Sequence, residues 1–157
     1  MATDIANPFS QAALQVPDGA EEFLARFSGT FRPQTGGESD IDKQPFRRYI
    51  DLWWVAMCLG LQEEKRTTAA KWHRFIEGNV LSSDPWRVIH LEMLGVALLG
   101  ADALKDPNQI IRMANEYAAT GIALLTEVMT GRSEPIWEVS KFLAGRMQAG
   151  TVDESGP

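Results

Sequence analysis

Two histidines and one cysteine are the side chains of this sequence best suited to metal binding or nucleophilic catalysis. His73 and His90 lie seventeen positions apart, which matches no common zinc-ligand spacing. A helix would direct His90 and Glu92 to different faces. Cys58 stands inside an apolar stretch, where a thiol is typically an inert small hydrophobe. We therefore expect no metal ion, no cofactor and no catalytic residue, with His73 on the surface and His90 hydrogen-bonded at the core boundary.

Carboxylates and glycines add no catalytic motif. Glu63 and Glu64 are adjacent and are followed by Lys65 and Arg66, a polar setting that cannot separate the pKa values of two acids. The sequence also lacks the glycine-lysine pattern of a phosphate-binding loop. A small enzyme with an unrecognised site nevertheless stays open as one alternative.

The charge is unevenly distributed along a chain whose net charge is −6. Residues 1–42 carry a balance of −5, residues 43–87 a balance of +3 and residues 88–157 a balance of −4. The net charge excludes a strongly basic nucleic-acid-binding protein, but a local basic face could contact phosphates. Its candidate nucleic-acid-binding residues are Lys65, Arg66, Lys71 and Arg74. The alternative is a solvated surface on which these side chains pair with neighbouring glutamates.

Large aromatic residues are concentrated in the same segment. Trp53 and Trp54 are adjacent, so on a helix they point about 100° apart and both are buried only if two sides are covered. One interpretation is a wide core contact. The other is that an indole faces a protein partner, because tryptophan is enriched at interface hot spots. The candidate partner-binding residues are Arg47, Arg48, Trp53, Trp54 and Trp72.

Helical periodicity dominates the remainder of the chain. Helices are expected at residues 44–61, 84–100, 107–131 and 135–149, with a short helix at 19–27 and a loop or short helix at 63–78. Three of the starts combine Ser or Asp with a following proline, at Asp84, Asp106 and Ser133. The helix at 84–100 is apolar on most sides, which predicts a central, buried element.

These elements predict an all-α bundle of four or five helices, with room for one short strand at residues 29–33. Residues 1–42 are expected to be loosely ordered, residues 43–150 to form the helical domain, and residues 151–157 to form a flexible tail. The longest apolar run has ten residues, and a membrane-spanning helix needs about 20. With no secretory signal pattern at the N-terminus, the expected location is the cytoplasm.

Residues 45–66, with the sequence PFRRYIDLWWVAMCLGLQEEKR, resemble the opening helix of small helical accessory proteins from bacterial DNA-phosphorothioation defence systems. The shared features are a Phe, a Tyr-Asp-type step, an apolar helix, a Leu-Gly turn and a basic pair. The resemblance covers about 22 residues and implies an accessory role in a DNA-modification or antiviral defence complex. It carries over no catalytic residue.

The sequence therefore favours a non-enzymatic protein that interacts with another subunit of a larger bacterial assembly. Direct DNA binding through residues 43–87 is the first alternative, and the unrecognised enzyme is the second. DNA contact is expected to be weak or indirect because acidic flanks surround the basic segment. Self-association of the chain remains open.

Overall fold

The computed structural model describes residues 6–29 and 44–149, and the structural statements below concern these residues. Their elements, in chain order, are β1 (Ala13–Pro17), α1 (Ala20–Phe27), α2 (Tyr49–Gln62), β2 (Trp72–Glu77), α3 (Pro85–Leu99), α4 (Pro107–Met129) and α5 (Pro135–Ala149). Short 3-10 helices at Gly78–Ser83 and Ala101–Lys105 precede α3 and α4. The predicted predominance of helix is confirmed.

Helices α2 and α4 form the centre of the structure, and two glycines let them approach closely. A Cβ atom at Gly121 would lie 1.7 Å from the Ala56 carbonyl oxygen, and one at Gly60 would lie 2.0 Å from that of Tyr117. Gly60 lies in the last turn of α2, which ends at Gln62, and is buried against α4.

The proline-based helix starts are confirmed for α3, α4 and α5, which begin at Pro85, Pro107 and Pro135. At α4 the carboxylate of Asp106 accepts a hydrogen bond from the Gln109 amide, as a capping residue should. Asp84 occupies the same position before α3 but forms no such bond. The prediction that Asp84 caps the helix through its side chain is therefore wrong.

The N-terminal segment, expected to be loosely ordered over residues 1–42, contains two regular elements within residues 6–29. Helix α1 confirms the short helix expected at residues 19–27, whereas β1 was not expected, and the segment contributes buried Phe9, Leu14 and Phe23 to the core. Alternating burial along β1 reflects the two-residue period of a strand. The expected strand at residues 29–33 falls almost wholly outside the described residues, as do the ends of the predicted loose segment and the C-terminal tail.

A two-stranded sheet replaces the loop or short helix expected near residue 72. Strands β1 and β2 pair antiparallel, with Leu14 opposite Ile76 and Val16 opposite His73. Pairing between segments some 60 positions apart carries no local sequence signal. The apolar residues of β2, which are Trp72, Phe75 and Ile76, also do not alternate with polar ones. The fold is thus mostly helical with one small sheet.

Helix α3 is not the buried central element that its composition predicted. Its inner side packs against the core through Val88, Leu91 and Gly95, whereas its opposite side is open to solvent. The central position belongs to α4, which is buried along most of its length. None of the described helices combines the length and the apolar character needed to cross a membrane.

Candidate functional site

Four alternating charges join the first turns of α2 and α3. Arg48 precedes α2 and donates two hydrogen bonds to Asp51, at 2.9 and 3.0 Å, and a third to Asp84, at 3.0 Å. Arg87, in the first turn of α3, donates to the same Asp51 at 2.9 Å. The cluster is neutral overall, with each carboxylate shared by two guanidinium groups.

Asp51 and Arg48 each stabilise the ionised form of the other. Burial raises the pKa of Asp51, but hydrogen bonds and charge from Arg48 and Arg87 outweigh it and hold that pKa below its usual value. The hydrogen bond to Asp51 likewise raises the pKa of Arg48, with burial opposing it. A cluster of mutually compensated charges is suited to fixing the first turns of two helices together.

Arg87 also joins the ionic cluster to a group of aromatic rings. Its guanidinium carbon lies 5.2 Å from the ring centre of Trp54 and 4.9 Å from that of Trp86. Its Nη1 is 3.4 Å from Asp84, but neither Nη1 nor Nε forms a hydrogen bond within the described part of the chain. The ring contacts therefore provide electrostatic compensation for a side chain that is 93% buried.

The aromatic contacts continue to the surface of α3. The rings of Trp54 and Trp86 meet edge to face with centres 5.3 Å apart, and the Trp86 and His90 rings do so at 5.6 Å. His90 is exposed, which corrects its expected place as a hydrogen-bonded histidine at the core boundary. Trp86 is thereby held in a fixed orientation while part of its indole remains in solvent.

The open side of α3 is apolar along its whole length. We define the α3 stripe as Trp86, Ile89, Met93 and Val96, whose exposed fractions lie between 40% and 61%. Their spacing of three and four residues places them on one helix face. His90 and Ala97 are exposed beside them. The two charged residues of α3 are Arg87, which is buried, and Glu92, which is half-buried at the margin, so the stripe itself carries no charge.

The candidate partner-binding residues from the sequence occupy different environments. Trp53 is completely buried, so it belongs to the core and cannot touch a partner in this structure. Arg48 belongs to the ionic cluster, and Trp54 is half-buried beneath Trp86. Arg47 is exposed, and Trp72 is half-buried on β2. The α3 stripe was missed because its apolar residues had been assigned to the interior.

Three of the four candidate nucleic-acid-binding residues lie near carboxylates. Arg66 is 2.6 Å from Glu116, Arg74 is 3.5 Å from Glu77, and Lys71 is 3.9 Å from Asp18. Lys65 is exposed. Only Arg74 pairs with a glutamate close to it in sequence, as the solvated-surface alternative expected; Arg66 and Lys71 pair with distant carboxylates. All three pairs reduce the positive charge offered to phosphates.

The histidine and cysteine expectations have mixed outcomes. His73 is exposed, as expected, but its ligand atoms lie within 4.8 Å of those of Asp18 and Glu21, a proximity that the sequence did not reveal. The group is open to solvent, and Lys71 lies close to Asp18. Cys58 is exposed on α2, contrary to its expected burial. Although the residue is exposed overall, neighbouring side chains partly shield its sulfur from water, and this desolvation raises the pKa of Cys58 against the opposing charge of Arg87, so the unreactive thiol is favoured.

A small cleft between the sheet and α2 offers little room for a substrate. It is lined by Gly29, Arg48, Tyr49, Ile50, Ile76 and Val80 and has a volume of about 60 Å³. Ligand pockets usually have volumes of about 300 Å³ or more. The surface of α3, rather than this cleft, is the more distinctive candidate site.

Comparison of the chain with protein-family models, with curated proteins and with solved structures finds no match.

Proposed function

We propose that this chain is a non-enzymatic interaction protein of the bacterial cytoplasm that works in a larger assembly and docks through the α3 stripe. The observation that carries the proposal is a solvent-facing helix side with four large apolar residues and no charge. Helices at a protein surface normally place charged or polar residues on this side. Contiguous exposed apolar patches of this kind are typical of interaction sites.

The surroundings of Trp86 favour a binding role because they fix the indole before any partner arrives. Trp54 and Arg87 pack on one side of it and His90 on another. Arg87 is itself held by Asp51. An aromatic anchor that is already ordered loses little conformational entropy on binding, which increases affinity. Tryptophan is also among the residues enriched at interface hot spots.

The resemblance of residues 45–66 supports a place for the assembly in DNA modification or antiviral defence. In that setting, this chain would act as an accessory subunit whose DNA contact is weak or indirect. The −6 net charge and the carboxylates near Arg66, Lys71 and Arg74 favour contact with protein over independent binding to DNA. Direct DNA binding remains the alternative because Arg47 and Lys65 are exposed.

The proposal is tested by affinity purification of tagged chain from its native host, followed by mass spectrometry. Wild type is compared with Met93→Lys, which places a charge in the middle of the α3 stripe. The matched control is Met147→Lys, because Met147 is also an exposed helical methionine, 76% accessible, but lies on α5. We expect partners retained by wild type and Met147→Lys to be lost from Met93→Lys.

Equal retention by all three proteins would contradict docking through the α3 stripe. A parallel fluorescence-anisotropy titration with duplex and single-stranded DNA tests the alternative. Submicromolar binding that weakens steeply with salt and disappears in Arg47→Glu/Lys65→Glu would favour the DNA-binding function. We expect no such binding at about 0.15 M salt, where charges are screened beyond about 8 Å.

A further inference from the structure

We propose that the α3 stripe binds a second copy of this chain, forming a two-fold symmetric dimer in which the two α3 helices run antiparallel. This inference rests on the proposed function, because it names the partner of the same surface. The stripe has the spacing of a helix-pairing seam, with Trp86, Ile89, Met93 and Val96 separated by three, four and three residues. Apolar residues at such alternating intervals form the contact line between packed helices.

The distribution of side-chain size along α3 selects the antiparallel arrangement. Trp86 is at the N-terminal end of the exposed side, whereas Ala97 and Gly100 are at its C-terminal end. A two-fold axis at Met93 places Trp86 opposite Gly100, and Ile89 opposite Ala97. Open space lies beside Gly100, since a Cβ atom there would meet nothing within 4 Å. Trp86 and Ile89 of each copy thus face small residues of the other, and Met93 faces its own counterpart on the axis.

A parallel pair of α3 helices would not place large side chains opposite small ones. It would stack the two Trp86 side chains at one end and leave a gap between the Ala97 and Gly100 positions at the other. Antiparallel helices also place the positive N-terminal end of each helix dipole near the negative C-terminal end of its partner, which is electrostatically favourable. An isologous interface of this kind closes on itself and yields a dimer rather than a filament.

The charges permit self-association despite the net charge of −6 on each copy. The stripe contains no ionised side chain that dimerisation would desolvate, because Arg87 already points into the ionic cluster. Glu92 lies at the half-buried margin. The long-range repulsion between two acidic copies is screened by salt. We therefore expect the dimer to strengthen as the salt concentration increases.

The apolar area that the α3 stripe can bury in a dimer is small, which indicates reversible association. Exposed fractions of 40–61% on the stripe, with the neighbouring His90, Ala97 and Gly100, correspond to roughly 500 Å² per copy, or roughly 1,000 Å² in total. This is near the lower limit for specific protein interfaces. The dissociation constant should consequently lie in the micromolar range, and monomer and dimer should exchange readily.

Sedimentation velocity of the full chain from about 1 to 200 μM tests the dimer, with wild type, Met93→Lys and Met147→Lys compared at each concentration. Wild type and Met147→Lys should shift from monomer to dimer. Met93→Lys should weaken dimerisation by at least about tenfold, because the two introduced ammonium groups meet at the two-fold axis. A wild type that stays monomeric throughout, or a dimer unaffected by Met93→Lys, would overturn the proposal.

Disulfide cross-linking tests the orientation in a Cys58→Ser background. Mixing Ile89→Cys with Ala97→Cys should give a cross-link between the two variants, whereas neither variant alone should cross-link efficiently. Two copies of position 89 would be about 12 Å apart along an antiparallel pair, beyond the reach of a disulfide. Efficient cross-linking of Ile89→Cys with itself would overturn the antiparallel register.

The two proposals can fail separately. A monomeric wild type that loses its co-purifying partners in Met93→Lys would reject the dimer and retain the interaction function. A dimer that Met93→Lys dissociates, together with no other protein or DNA that depends on the stripe, would retain the dimer and reject the role in a larger assembly.

Discussion

Asp51 supports the most informative test of the structure, because one small substitution removes a charge shared by two arginines. Asp51→Asn keeps the size of the side chain but eliminates its negative charge. Arg48 then retains Asp84 at 3.0 Å, whereas Arg87 retains only its 3.4 Å approach to Asp84 and the faces of two indoles. The substitution therefore leaves a largely buried guanidinium with too little compensation.

The expected loss of unfolding free energy follows from the burial of the two partners. Breaking a buried ion pair from one side typically costs about 3–5 kcal/mol. Arg87 is 7% exposed at its side chain, but Asp51 is 23% exposed, so water reaches part of the site. An asparagine oxygen can also still accept one hydrogen bond. We therefore expect a loss of about 3 kcal/mol, at the lower end of that range.

Urea denaturation followed by tryptophan fluorescence measures this loss directly. Asp102→Asn is the matched control, because Asp102 also pairs with a cation three residues away, Lys105, but is 92% exposed. Its substitution should change the unfolding free energy by less than about 0.5 kcal/mol. A loss below about 1 kcal/mol for Asp51→Asn would refute the view that the cluster holds α2 and α3 together.

Two further predictions concern pH and helix contact. Because the pKa of Asp51 is lower in the folded state, its stabilising contribution is fully present above the pKa of the unfolded chain and is lost as pH falls through the folded value. Stability measured in urea from neutral to acidic pH should therefore decline less in Asp51→Asn than in wild type. Gly121→Ala should destabilise the protein by at least about 2 kcal/mol, since its methyl would collide with the Ala56 carbonyl. The same change at Gly145, where nothing lies within 4 Å, should instead stabilise α5 by up to about 1 kcal/mol in thermal or chemical unfolding; equal effects at the two glycines would contradict the close α2–α4 contact.

Local signals explain which parts of the fold could be predicted from the sequence. Pro85, Pro107 and Pro135 mark three helix starts because proline is compatible with a first turn that needs no amide donor. The sheet could not be found in this way. Its strands pair Ala13–Pro17 with Trp72–Glu77, and what makes each a strand is the other, which is distant in sequence. Burial of Leu14 and Val16 likewise depends on that distant pairing.

At the candidate site, the sequence could not show which residues meet in space. Asp84 and Asp106 stand before prolines in the same way, yet Asp106 caps its helix and Asp84 binds two arginines. The difference arises because α2 brings Arg48 beside Asp84. The sequence shows the concentration of aromatic residues at Trp53, Trp54 and Trp72, but it could not show that Trp53 is buried and that Trp86 is half-exposed. Trp53 on α2 and Trp86 on α3 are the same residue type on largely apolar helices. Their different exposure depends on how the helices pack.

The ionic cluster and the α3 stripe are consequences of one arrangement. Helix α3 contains only two charged residues, Arg87 and Glu92. Asp51 and Asp84 hold the side chain of Arg87 on the inner side of α3. The outer side near Trp86 therefore lacks the only Lys or Arg side chain that this helix contains. The aliphatic part of the helix then remains exposed with an ordered indole at its start. Breaking such a cluster from one side is costly, but replacing a whole buried ion pair by apolar residues is often neutral. A second effect of the cluster is therefore that it leaves α3 with an uncharged outer face.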